Sequence, residues 1–181
     1  MNITVFGAAS PTIDKKYIEK CEELGKEIAK RGYGLVFGAG TKGVMGAVAK
    51  GACSEKGEII GVVPEFFRPD GLLFDKCTEL IFTENMRDRK ALLDERCDAF
   101  IVAPGGLGTM DELFEVYTLI RLKKLDKPLV IYNLYGFYDK LREMLLGFVE
   151  EDALTLDAVN DILLYTDDPI EAIDYIEKHI K

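Results

Sequence analysis

"DAFIVAPGGLGTMDE", residues 98–112, sets a short apolar run against three glycines in four positions, then a threonine and two acids. The first half has the length and composition of a buried strand. The second half opens a helical pattern whose apolar face is Leu113, Phe114, Tyr117 and Ile120. A strand that passes through glycine into a helix is the repeating unit of an α/β chain. A surface turn needs one glycine or two; three directly after a strand imply a backbone that comes very close to something.

The same alternation extends in both directions. The runs "ITVFG", "GLVFG", "EIIGVV", "ELIFT", "AFIVA", "PLVIYN" and "LLYT" read as strands, and amphipathic stretches fall at 14–30, 44–54, 85–96, 109–123 and 136–150, with a further helix after Asp168. Strands alternating with helices predict an α/β fold, a Rossmann-like doubly wound parallel sheet with helices on both faces. With 181 residues, 48% of them hydrophobic, and no repeat or linker, the chain is expected to be one nucleotide-binding domain over 1–181. The glycine clusters "GAAS", "GAGTKGVMG" and "PGGLGT" follow the first, second and fifth strands. Loops at the carboxyl ends of parallel strands share one crevice, and their backbone N–H groups suit an anion, phosphate above all.

Composition removes several classes. A formal charge of −9 argues against non-specific nucleic-acid binding, which needs a basic footprint. The first residues lack a signal-peptide pattern and no run is long enough to span a bilayer, so no membrane partner and a cytoplasmic location are expected. Cys21, Cys53, Cys77 and Cys97 show no C-x-x-C spacing and read as reduced thiols. The single histidine, His179, lies on a charged terminal helix. Ser-His-Asp and Cys-His machinery and histidine-rich metal sites are thereby excluded, and neither metal nor cofactor is expected.

Three local patterns each admit a structural and a functional reading. "GAGTKG", residues 38–43, fits a dinucleotide fingerprint, for which Glu65 is the one candidate ribose-binding acid, but it also fits a tight strand-to-helix turn. In "NMRDRK", residues 85–90, a helical wheel puts Met86, Arg89, Lys90 and Leu93 on one side. Two cations then either reach past the sheet edge into water or face a cleft that holds phosphate or carboxylate, Arg89 offering the better fork. "TMDE", residues 109–112, has the form of a capping box with Thr109 as N-cap and Glu112 three positions on; it also lies directly under the glycine loop.

"PGGLGTMDE" matches in full the Pro-Gly-Gly-x-Gly-Thr-x-x-Glu signature of the LONELY GUY proteins, and "GAGTKGVMG" resembles their Gly-Gly-Gly-x-x-Gly-Leu-Met-Gly loop. The resemblance runs over about residues 3–151. It implies a phosphoribohydrolase acting on cytokinin-type nucleoside 5′-monophosphates, in a family whose bacterial members have often been labelled possible lysine decarboxylases. That label finds no support in the residues, since no lysine has a recognisable Schiff-base context. On this resemblance Arg89 and Glu112 are the catalytic pair. Ser10, Gly40, Gly43, Met86, Lys90, Gly105, Gly106, Gly108 and Thr109 bind substrate, the last four around the 5′-phosphate. The resemblance also implies a homodimer, with Leu119, Ile120 and Leu122 pointing in several directions around their helix. Three departures stand out: Arg87 replaces the family's histidine, Ala8-Ala9-Ser10 its Gly-Ser-Ser, and Ala39 the middle glycine. At a helix N-terminus Glu112 is expected to stay ionised, a good electrostatic stabiliser and a weak base. A non-catalytic nucleotide carrier and an NAD-type oxidoreductase are the alternatives.

Overall fold

The apolar runs form seven parallel strands: β1 (Asn2–Phe6), β2 (Gly34–Phe37), β3 (Ile59–Pro64), β4 (Glu79–Thr83), β5 (Ala99–Val102), β6 (Leu129–Tyr132) and β7 (Leu163–Thr166). This is a computed structural model, and it describes residues 1–180. The sheet runs β4-β3-β2-β1-β5-β6-β7. In the middle Ile3 of β1 lies opposite Leu35 on one side and Ala99 on the other. Strands β2, β3, β5 and β6 are buried along their whole length, which is why they read as continuous rather than alternating apolar runs. Chain order reverses between β1 and β5, the place where doubly wound sheets open a crevice.

Seven helices cover the sheet: α1 (Lys15–Lys30), α2 (Gly43–Ser54), α3 (Met86–Glu95), α4 (Leu107–Arg121), α5 (Asp139–Glu150), α6 (Leu156–Asn160) and α7 (Pro169–His179). Leu24 and Ile28 of α1, Val48 of α2 and Ile173 of α7 pack on one face with Ile3, Leu35 and Phe37. Leu93 of α3, Leu113 of α4, Leu145 of α5 and Val159 of α6 pack on the other with Phe6, Val36 and Phe100. Asp14 and Asp168 cap α1 and α7 through their side chains, accepting from Lys16 N at 3.0 Å and Ile170 N at 2.8 Å. The predicted helix over 136–150 divides, because Tyr135 (φ 52°) and Gly136 (φ 70°) are left-handed; a 3-10 turn, Leu134–Gly136, precedes α5. Helix α6 was not expected from sequence: five residues are too few to show a helical period.

The capping-box expectation at Thr109 is corrected. Helix α4 begins two residues earlier, at Leu107, with Gly106 as N-cap and no side chain capping the terminus. Thr109 lies inside the first turn and Glu112 in the second, so Glu112 is free to bond elsewhere.

Candidate active site

A cleft of about 490 Å³ opens at the carboxyl ends of the central strands, a size suited to a small ligand. All three glycine-bearing loops line it, through Ala8–Ser10 after β1, Gly38 to Lys42 after β2, and Gly106 to Thr109 after β5. The three loops expected to share one crevice do line a single cleft.

Arg89 and Glu112 meet at the cleft. Asn85 fixes the start of α3 by accepting from Arg87 N at 2.9 Å and Asp88 N at 3.0 Å, and Leu93, 1% exposed, anchors its far end in the core. Arg89 is thereby turned inward, 7% exposed. Its Nη1 donates to Glu112 Oε1 at 2.7 Å and its Nε to the Val62 carbonyl at 3.2 Å. The guanidinium approaches the β2 loop closely: a Cβ on Gly38 would sit 2.2 Å from Nη2. Gly38 therefore makes room for the arginine, a role that its place in "GAGTKG" did not reveal.

Burial pushes the Glu112 carboxyl above its ordinary value, against the pull of Arg89 and, more weakly, Lys90. This corrects the helix-dipole argument. Glu112 stands in the second turn, beyond the reach of the terminal N–H groups, and desolvation outweighs what remains of the dipole. The carboxylate is consequently a stronger base than a solvated one.

Above this pair lies the uncapped N-terminus of α4. Its first-turn N–H groups have no partner within the helix and none from a side chain. Gly105 is a glycine for packing reasons, since a Cβ there would be 2.1 Å from Thr109 Oγ1. Gly106 and Gly108 have no such reason: a Cβ on either meets nothing within 4 Å. Their lack of side chains keeps the space over the helix terminus open, as close approach of an anion requires.

Ser10, Gly40 and Met86 also line the cleft, as do Gly106, Gly108 and Thr109. Gly105 stands beneath the lining, and so does Gly43, whose positive φ of 63° and close approach to Ala8 O (2.4 Å from a built Cβ) lock α2 against the β1 loop. Lys90 departs from expectation. Its ammonium bonds Asp111 Oδ1 at 3.2 Å and pairs with Glu115, so it is directed along α4 and away from the cleft. Glu65, the acid that a dinucleotide site would use, is exposed and held by Arg68 at 2.7 and 2.8 Å outside the cleft. Among the described residues no group of three or more His, Cys, Asp or Glu is placed to hold a metal ion.

The apolar wall was missed. The segment after β3 folds over the β2 loop, Thr41 N donating to Leu72 O at 3.1 Å and Phe74 N to Ala39 O at 2.9 Å. It carries Phe67, Leu72 and Leu73 to the cleft, facing Met45 and Met86. The available signal was "EFFRPDGLLF": large apolar residues in a stretch with neither strand nor helix period.

Comparison with known proteins identifies the family. The family model described as "Possible lysine decarboxylase" matches residues 45–176. A Mycobacterium tuberculosis protein named cytokinin riboside 5′-monophosphate phosphoribohydrolase is 42% identical over 82% of this chain and 79% of its own length. An Arabidopsis thaliana protein of the same name is 32% identical over 99% of this chain and 85% of its own. Among solved structures, the molybdenum cofactor carrier protein of Chlamydomonas reinhardtii superposes with a TM-score of 0.73 over 98% of this chain and 96% of its own, at 24% identity, a likeness of fold. With the family model and relatives matched over most of their length in agreement, the chain belongs to the LONELY GUY family.

Proposed function

We propose that the protein hydrolyses the N-glycosidic bond of purine ribonucleoside 5′-monophosphates, AMP or N6-substituted AMP, giving the free base and ribose 5-phosphate. The observation that carries the reading is the buried Arg89–Glu112 pair set under an uncapped helix terminus in one cleft. The names of relatives matched over most of their length support the same activity.

The bond breaks through an oxocarbenium-like state in which the electron pair leaves with the base nitrogen and positive charge gathers at the anomeric carbon. A carboxylate in a poorly solvated site stabilises that charge more strongly than one in water. Glu112 fills this role and, with its raised proton affinity, accepts a proton from the attacking water. Arg89 does not release its proton near neutrality; it orients Glu112 and offers its remaining N–H groups to the substrate. The 5′-phosphate lies over Gly106 and Gly108 on the α4 terminus, with Thr109 beneath, and the base lies along Met86, Leu72 and Phe67. Ser10 and Gly40 border the ribose.

Incubation with a panel of nucleoside monophosphates and nucleosides, followed by chromatography for free base, tests the assignment. AMP is cleaved far faster than adenosine. Equal rates on the two would remove the phosphate site, and binding without base release would make the protein a carrier.

A homodimer is part of the proposal. Helix α7, the alternative cover for α4, packs instead on α1, β6 and β7. Leu107 and Leu122, at the two ends of α4, stay 88% and 60% exposed. Light scattering gives twice the mass of the single chain; the monomer mass would exclude the dimer. We also propose a cytoplasmic site of action without nucleic-acid partners. All four cysteines are unpaired, burial raises the Cys77 and Cys97 thiols to about 11, and no helix among the described residues is long and apolar enough to cross a membrane.

A further inference from the structure

We propose that Lys90 is a positioning residue, which holds the catalytic turn of α4 against α3 and supplies the positive charge that keeps Glu112 ionised during turnover. The inference rests on the phosphoribohydrolase reading.

Arg89 and Lys90 are neighbours on α3, and their partners alternate along α4. Arg89 takes Glu112, while Lys90 takes Asp111 on one side of it and Glu115, one turn on. The Lys90 side chain is 18% exposed, so its charge is poorly screened. Glu115 Oε2 is buried and makes no hydrogen bond of ordinary geometry; it is held by the ammonium as a point charge. Asp94, the next turn of α3, shares the narrow space below with Lys90, Glu112 and Glu115, bordered by Phe6 of β1 and Val116 of α4.

Five charged groups therefore bear on Glu112 from the two helices. Arg89 and Lys90 favour its ionised form; Asp111, Glu115 and Asp94 oppose it. The crowding is evident at Asp94, whose carboxyl burial and Glu115 push up to about 7, with Lys127 and Lys90 pulling the other way. With Lys90 removed, only Arg89 beside Glu112 and Lys127 beside Asp94 would face four carboxyl groups in this space. Without Lys90 the cheapest relief is a proton on one of them, and a proton on Glu112 stops the reaction.

The test is the pH dependence of AMP cleavage by wild type, Lys90→Met and Lys90→Arg. In Lys90→Met, kcat falls about ten- to a hundredfold with little change in KM, and the acid limb of kcat/KM moves to higher pH. Lys90→Arg keeps the limb at the wild-type position. Asp111→Asn, which removes an opposing charge and leaves Lys90 on Glu115, moves it to lower pH; this variant carries the test if Lys90→Met does not fold. A limb unmoved in both Lys90→Met and Asp111→Asn overturns the proposal. So does a Lys90→Met variant with raised KM and intact kcat, the behaviour of a substrate-binding lysine. Wild type that releases no base fails the functional reading itself, and the inference with it.

Discussion

On one face of the sheet α1 and α2 meet through glycine. A Cβ on Gly25 would lie 2.0 Å from Val48 O and one on Gly51 2.1 Å from Glu22 O. On the other face α3 and α4 meet through charge, Arg89 on Glu112 and Lys90 on Asp111 and Glu115. Close apolar packing is the more stabilising of the two arrangements, since buried ion pairs recover little beyond the desolvation they cost. The charged seam lies at the cleft and the glycine seam away from it. One face is built to hold the β1 and β2 loops in place, and the other to keep a carboxylate dry, paired and close to a substrate.

The largest expected effect separates the two faces by function. Glu112→Gln preserves shape but removes the charge, so base release falls by at least a hundredfold, about 2.7 kcal/mol, while circular dichroism stays native. A smaller loss would reduce Glu112 to a structural partner of Arg89. Gly25→Ala or Gly51→Ala has the converse outcome. Each adds a methyl where a backbone oxygen already sits, costing about 1–3 kcal/mol of stability. The melting temperature drops, and kcat of the protein that remains folded is close to wild type. If either glycine variant loses kcat without losing stability, the division of labour between the faces is wrong.

The sequence made the fold legible because most strands are short, apolar and bounded by glycine or proline. "PGGLGT" marked the phosphate end of the cleft for a similar reason: glycines after a strand have few uses. Lys90 shows what the sequence could not carry. A helical wheel places it beside Arg89, yet which way a long flexible chain turns depends on acids presented by α4, and those are distant in sequence. The helix start erred for a related reason. Thr109 and Glu112 have the spacing of a capping box, but Gly106 can cap without a side chain, and α4 gains a half-turn that removes Glu112 from the terminus. Phe67, Leu72 and Leu73 escaped because periodicity finds regular elements, and this wall is a loop clamped to another loop.

A smaller and more discriminating effect comes from pH. Burial raises the Glu112 carboxyl above its ordinary value, so the acid limb of kcat/KM, which reports the free enzyme, lies above the ordinary carboxylate range. Stability runs the other way. A carboxyl whose folded proton affinity exceeds the unfolded one contributes fully at pH below its unfolded value and loses that contribution as pH rises through the folded one. The wild type accordingly loses ground to Glu112→Gln in denaturant unfolding as pH rises, over the same range in which activity appears. Activity and stability that rose together with pH would mean that Arg89 outweighs burial at Glu112.

The smallest effect is expected at Ala39, where the family has glycine. Ala39 is fully buried at φ 60°, a left-handed conformation that costs an L residue about 1–2 kcal/mol. The loop has nonetheless kept the glycine geometry, because Phe74 N bonds Ala39 O at 2.9 Å and the Ala39 methyl packs over Gly61, which has no side chain to oppose it. Ala39→Gly relieves the strain, but it gives up a buried methyl worth about 0.8 kcal/mol and adds about 0.5–1 kcal/mol of unfolded-chain entropy. The two sides nearly cancel, so stability changes by less than about 1 kcal/mol. Because the methyl points at Gly61 under the sheet edge and not into the cleft, base release on AMP is unchanged. A marked gain in activity on Ala39→Gly would show instead that this position shapes how the β2 loop meets its substrate, and would tie the two seams together at a residue where the chain departs from its family's glycine.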